Sequence, residues 1–228
     1  MPPKTAGPDP LENEDTLDAG DFSSWLDEMR TALDGGGGTD VPCAGCTACC
    51  TSSQFVHIAP DETDTLAHIP PDLLFAAPRS APGHVVLGYD ERGHCPMLVD
   101  SRCSIYEHRP AACRTYDCRI FAATGTMASD RTQVRITHRV TRWRFTYPSG
   151  TDTAQHDALR SAVAYLRANE EVWPDARKPP HPTRLALTAV AIADLFVVSD
   201  SDPASRAHVA PDLATVQARV AALAQSDH

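Results

Sequence analysis

The side chains in this 228-residue chain best suited to chemistry are its eight cysteines, and all of them fall between Cys43 and Cys118. Four sit in one run, Cys43-x2-Cys46-x2-Cys49-Cys50. A two-residue gap lets two sulfurs converge on one metal while backbone N–H groups point at the thiolates. Three cysteines so spaced match the run that holds an iron–sulfur cluster in ferredoxins, and Gly45 eases the tight turn this needs. The other four are spread out as Cys95-x7-Cys103-x9-Cys113-x4-Cys118. A structural zinc site pairs two knuckles with two to four residues between ligands, and only the first run has that spacing. The neighbours Cys49 and Cys50 cannot comfortably serve one small tetrahedral ion. Eight thiols therefore imply either two centres or one polynuclear centre with spare thiols.

Other side chains in these segments qualify as helpers. Arg109 and Arg114 are candidate cofactor-binding residues, because an arginine fork offsets the negative charge of a tetrathiolate and donates hydrogen bonds to sulfur. The competing reading pairs Arg109 locally with Glu107 or Asp117. Tyr106 reads as a core residue. His94 and His108 are the histidines inside the cysteine segments, and eight thiols suffice without them; the others, His57 and His68 among them, read as surface or packing residues. No Ser-His-Asp set, phosphate-binding glycine loop or His-Glu-x-x-His run is recognisable. No catalytic residue is assigned, and the motifs leave open whether the chain is an enzyme.

The order CAGCTACC, then GHCPML, then CSIYEHRPAACRTYDC resembles the YkgJ-type cysteine cluster family, a zinc- or iron-chelating class of domain (CxxCxxCC). All eight family cysteines are present, with Ile105, Tyr106, Arg109, Pro110 and Arg114 of its second motif. The resemblance covers roughly residues 43–118. It implies that Cys43, Cys46, Cys49, Cys50, Cys95, Cys103, Cys113 and Cys118 are metal ligands, for an iron–sulfur cluster (4Fe-4S by the ferredoxin-like run) or a zinc ion. The family includes a flagellin lysine N-methylase, but nothing outside the motif resembles that larger enzyme.

Elements that must position these residues follow from hydrophobic period and punctuation. Phe22, Trp25, Leu26, Met29 and Leu33 mark one face of a short helix with Asp21 as its N-cap, ended by Asp34 and the run Gly35 to Gly38. Residues 1–20 read as disordered. Short strands are expected over Gln54–Ile58 and His84–Tyr89, extended chain over Cys95–Tyr106, and a short helix over Pro60–Ile69. One helix begun by Pro110 should carry both Cys113 and Cys118, and Arg139–Tyr147 reads as a last strand. Helices are expected over 153–169, from Thr183 to about Val198, and over 211–225. The fold class is α+β: a small irregular cysteine-rich core with short strands, flanked by helices. Three parts are expected: an acidic tail with its helix and glycine linker (1–40), the cysteine-cluster domain (41–148) and a helical region packed on it (149–228).

Charge narrows the function. The net charge is −10, which disfavours general nucleic-acid binding. Ten acids against two bases lie in residues 1–40, whereas 102–144 holds nine arginines against three acids. The two stretches are suited to attract one another. The start, MPPKTAGPDP, has no apolar h-region, and the apolar stretch Leu185–Val198 is too short to cross a bilayer. A cytoplasmic, reducing setting is expected, where clustered thiols bind metal rather than form disulfides. The leading expectation is a metal-binding protein with a redox or accessory role. The alternatives are a structural zinc module that engages a protein partner, and a protein-modifying transfer enzyme.

Overall fold

The structure, a computed structural model, describes residues 16–36, 38, 39, 41, 45–78, 80–127, 133–173, 181–197 and 211–226. It is α+β, with helices surrounding three small sheets. Cys43, most of the acidic tail and part of the glycine run lie outside the described residues.

The chain enters as strand β1 (Leu17–Asp21), which corrects the expectation of disorder up to residue 20. It pairs in parallel with β7 (Trp143–Thr146), Leu17 opposite Trp143 and Asp21 opposite Thr146. Burial of Ala19 at the centre of β1 gives an otherwise acidic stretch its anchor. Helix α1 (Phe22–Leu33) follows at once and buries Phe22, Trp25, Leu26 and Met29, the face its period marked. Asp21 occupies the N-cap position without a capping bond. Its carboxylate instead accepts the Thr146 hydroxyl, while Ser23 N–H donates to Asp152 at 2.9 Å. Asp152 also closes the capping box of α6 (Gly150–Ala168) with Ser149. One carboxylate thus caps two helix starts.

The last expected strand, Arg139–Tyr147, begins late. Helix α5 (Val134–Arg142) occupies its first four residues and β7 its last part. Ile136 and Val140, four apart and both buried, set a helical period that outweighs the β-branched composition. Around α6, α7 (Pro182–Ile192), α8 (Leu213–Ser226) and α4 (Arg119–Thr124), the main core gathers Trp25, Phe121, Trp143, Leu159, Leu166, Val190 and Val216.

A second, smaller core lies in the cysteine segments. Strands β2 (Val56–Ile58), β3 (Leu74–Ala76) and β4 (Val85–Leu87) form an antiparallel sheet in the order β2-β4-β3. Beside it stand α2 (Thr63–Ala67) and the two-residue hairpin strands β5 (Leu98–Val99) and β6 (Arg102–Cys103). Its buried apolar residues are five: Ile58, Ile69, Leu87, Met97 and Ile105. The single helix expected from Pro110 is two. Helix α3 (Ala111–Thr115) carries Cys113, the chain turns extended at Tyr116, and Cys118 sits at the N-cap of α4.

Candidate metal centre

The cysteines divide between the two cores. Cys118 is buried in the main core and Cys46 packs against it, whereas Cys95 and Cys103 pack against the smaller one. The break between α3 and α4 lets Cys113 and Cys118, close in sequence, reach different surroundings. Cys49 and Cys50 diverge for a similar local reason. They open a 3-10 turn, Cys49–Thr51, in which successive side chains project about 120° apart. Gly45 enters this turn at φ +78°, a left-handed conformation glycine adopts freely. The turn is fastened to the loop before Cys95: Cys95 N–H donates to the Cys50 carbonyl at 2.7 Å, and Ser53 N–H to the Gly93 carbonyl at 2.9 Å.

Electrostatics resolve which thiols face one another. The Cys113 thiol is pushed up to about 12, first by burial and then by the sulfurs of Cys50, Cys95 and Cys103, with Arg109 pulling the other way. The residue as a whole is exposed, yet the mass of protein around its sulfur opposes charge. The Cys95 thiol is raised by burial, partly offset by the Met97 N–H, with Cys103 adding to the rise. Cys50, Cys95, Cys103 and Cys113 therefore form one neighbourhood. Three residues after Cys113 the company changes. Burial raises the Tyr116 phenol, and Cys49, Cys118 and Asp117 add to the rise. Trp143 Nε1–H donates to Cys118 Sγ at 3.2 Å, and Ala48 N–H to Cys46 Sγ at 3.5 Å. Cys46 and Cys118 lie along the main core, with Cys49 exposed but near Tyr116.

The donor chemistry fits thiolate-bound metal. N–H groups aimed at sulfur offset the negative charge that metal-bound thiolates retain and orient them. Arg109 supplies a further donor: its Nε is buried with no hydrogen-bond partner among the described residues, while its guanidinium lies over the Tyr106 ring, 3.7 Å from the centroid. Neither Glu107 nor Asp117 pairs with it. Tyr106 is half exposed, contrary to its reading as a core residue, and serves as the shelf for Arg109. Arg114 donates to the Arg109 carbonyl.

Sequence reasoning missed several residues that shape the site. Trp143 reaches Cys118 from another element, and no local pattern announces that contact. Asp117, flanked by Tyr116 and Cys118, is buried and holds Arg119 at 2.8 Å. It also accepts Trp25 Nε1–H at 3.0 Å. Arg119 in turn donates to the Ala19 carbonyl and lies 4.0 Å from Glu28. The attraction between acidic N-terminal stretch and arginine-rich segment is realised at Arg119, which binds β1 and α1 to the start of α4.

Residues 42–132 match the model of the CxxCxxCC family, described as a putative zinc- or iron-chelating domain. This is the family whose motif the cysteine order resembles, and the match supports iron or zinc as the metal such a segment would bind. No curated protein and no solved structure matches the chain. No helix among the described residues is long and apolar enough to cross a membrane.

Proposed function

We propose that the protein binds metal at two four-thiol centres, one made by Cys43, Cys46, Cys49 and Cys118, the other by Cys50, Cys95, Cys103 and Cys113. The observation that carries this reading is the change of partners over three residues: Cys113 senses Cys50, Cys95 and Cys103, whereas Tyr116 senses Cys49 and Cys118. Cys43 joins the first set by its Cys-x2-Cys-x2-Cys spacing alone. Three closely spaced cysteines with a remote fourth suit an iron–sulfur cluster, and the first centre holds iron in that form. Such a cluster supplies one-electron redox chemistry, so the role is electron transfer, redox sensing or support of a partner enzyme in the cytoplasm. Arg109 donates toward the second centre.

The test is metal and sulfide analysis of anaerobically purified protein and its eight single Cys→Ser variants. Brown protein with iron and sulfide is expected. Serine at position 46, 49 or 118 should remove the iron, and serine at 50, 95, 103 or 113 should leave it while lowering total metal. Colourless protein holding only zinc would reject the cluster. Loss of iron from Cys113→Ser with retention in Cys118→Ser would reject the grouping.

A further inference from the structure

A different set of donors converges on the surface. His108 stands midway in the sequence between Cys103 and Cys113, and its ring stacks face to face on that of His68, centroids 3.5 Å apart and planes within 5°. The Asp64 carboxylate lies at the Nδ1 edge of the stacked pair. Oδ2 is 2.8 Å from His108 Nδ1, and Oδ1 is 3.8 Å from His68 Nδ1. One ligand atom from each of the three residues lies within 4.8 Å of the other two. A tetrahedral ion with nitrogen and oxygen bonds of about 2.0–2.1 Å holds neighbouring ligand atoms roughly 3.3–3.4 Å apart. The Asp64–His108 pair is closer than that spacing, and His68 Nδ1 donates to the Asp64 carbonyl at 2.8 Å, so both rings must turn to admit an ion. All three side chains remain accessible, with 71% of Asp64, 41% of His68 and 38% of His108 exposed.

The segments that bring them together are pinned by a neighbour that takes no part. Glu62 accepts Ala59 N–H at 2.9 Å through one carboxylate oxygen and Ala111 N–H at 2.5 Å through the other. It thereby fixes the start of α2, which carries Asp64 and ends at His68, to the start of α3, three residues after His108. The Asp64 carboxyl is held below the ordinary carboxylate range, first by its hydrogen bond to His108 and then by the charges of His108, His68 and Arg114. It is anionic at neutral pH.

We propose that Asp64, His68 and His108 form a solvent-facing site for a divalent ion of the imidazole-preferring class, with Zn2+ as its representative, completed by water. The ion takes the place of the proton shared by His108 and Asp64, and the two exposed rings rotate to meet it. Imidazole and carboxylate donors select borderline ions such as Zn2+, Co2+ and Ni2+, whereas the thiols nearby suit softer centres. The site is independent of how the cysteines are grouped.

The test is calorimetric titration of Zn2+ into the full-length protein, carrying whatever metal it retains from purification, near neutral pH. His68 and His108 ring-proton shifts are followed in parallel by NMR. Wild type should take up one equivalent more than the His68→Ala/His108→Ala double variant, and the ring protons of both histidines should move with it. Asp64→Asn should weaken this uptake about 10-fold or more, and the exposed His57→Ala should leave it unchanged. Equal uptake by wild type and the folded double variant, or ring signals that ignore Zn2+, would overturn the proposal. Loss of the thiol-bound metal would instead appear in the content measured before titration.

Discussion

At the level of single residues, what separates the two thiol groups is which donors their sulfurs receive. Trp143 offers its indole N–H to Cys118 from inside the main core, 3.2 Å away and sheltered from water. A hydrogen bond to a metal-bound thiolate is charge-assisted and orients the ligand. Trp143→Phe keeps the aromatic packing and deletes only this donor. Metal at the first centre should then be held about 10-fold more weakly, measured as the chelator concentration that strips half the iron. The content of the second centre should not change. Equal retention in the two proteins would show that the indole N–H has no bearing on the metal.

At the level of elements, the N-terminal strand and helix are bound to the helical region by a few polar contacts set in an apolar seam. His156 on α6 illustrates this. Its ring stacks on Phe22 of α1 with centroids 4.5 Å apart, accepts the Tyr147 hydroxyl at Nδ1 and donates from Nε2 to the Ala123 carbonyl. Burial holds the ring below the usual histidine value, the Ala123 hydrogen bond only partly opposing it. The unfolded chain therefore binds a proton more readily than the folded one below about pH 6.5. The stability His156 contributes is complete above that value and declines as the pH falls below it. Urea titrations from pH 7.5 to 5 should show decreasing stability, and His156→Gln should flatten this slope. An unchanged slope in the variant would place its origin elsewhere.

Much of this level was legible in the residues. The apolar face of α1, the turn at Gly45 and the later helices follow from period and punctuation. Three features did not, each for a physical reason. The strand Leu17–Asp21 has no period of its own and exists because β7 offers it an edge. The start of the last expected strand is helical because Ile136 and Val140 find a core only on a helix. The helix after Pro110 breaks at Tyr116 because buried Asp117 must reach both Trp25 and Arg119. The division of Cys46 and Cys118 from Cys95 and Cys103 between two cores was not legible, since spacing carries no information about which core a thiol faces.

At the level of the whole molecule, two cores of unequal strength share one chain. Burial of a medium-sized apolar side chain contributes roughly 1.5–3 kcal/mol, so the five residues of the small core fall well short of the ordering cost of its sheet and hairpin. Metal-ligand energy should make up that difference. Chelation is thus expected to abolish hydrogen-exchange protection in β2, β4 and α3 while α6 and α7 keep theirs. Protection unchanged throughout would mean that packing alone sustains the small core. Loss of protection everywhere would mean that the two cores unfold as one.

The parallel pairing of β1 with β7 also has a consequence in time. The groups that cap and cover α1 come late in the chain: Ser23 waits for Asp152, 129 residues further on. At about 5–20 residues per second, ribosomal synthesis inserts a delay of roughly 6 to 26 s between the helix and its partners. Late in that interval, over the 25 residues that separate Cys118 from Trp143, Cys46, Cys49 and Cys118 have left the peptidyl-transferase centre without the wall that Trp143 later provides. The small core depends on residues no further along than Cys113 and can close sooner. The nascent chain therefore passes through a stage in which one set of thiols is already housed and the other is still open to any ion, oxidant or delivery factor it meets.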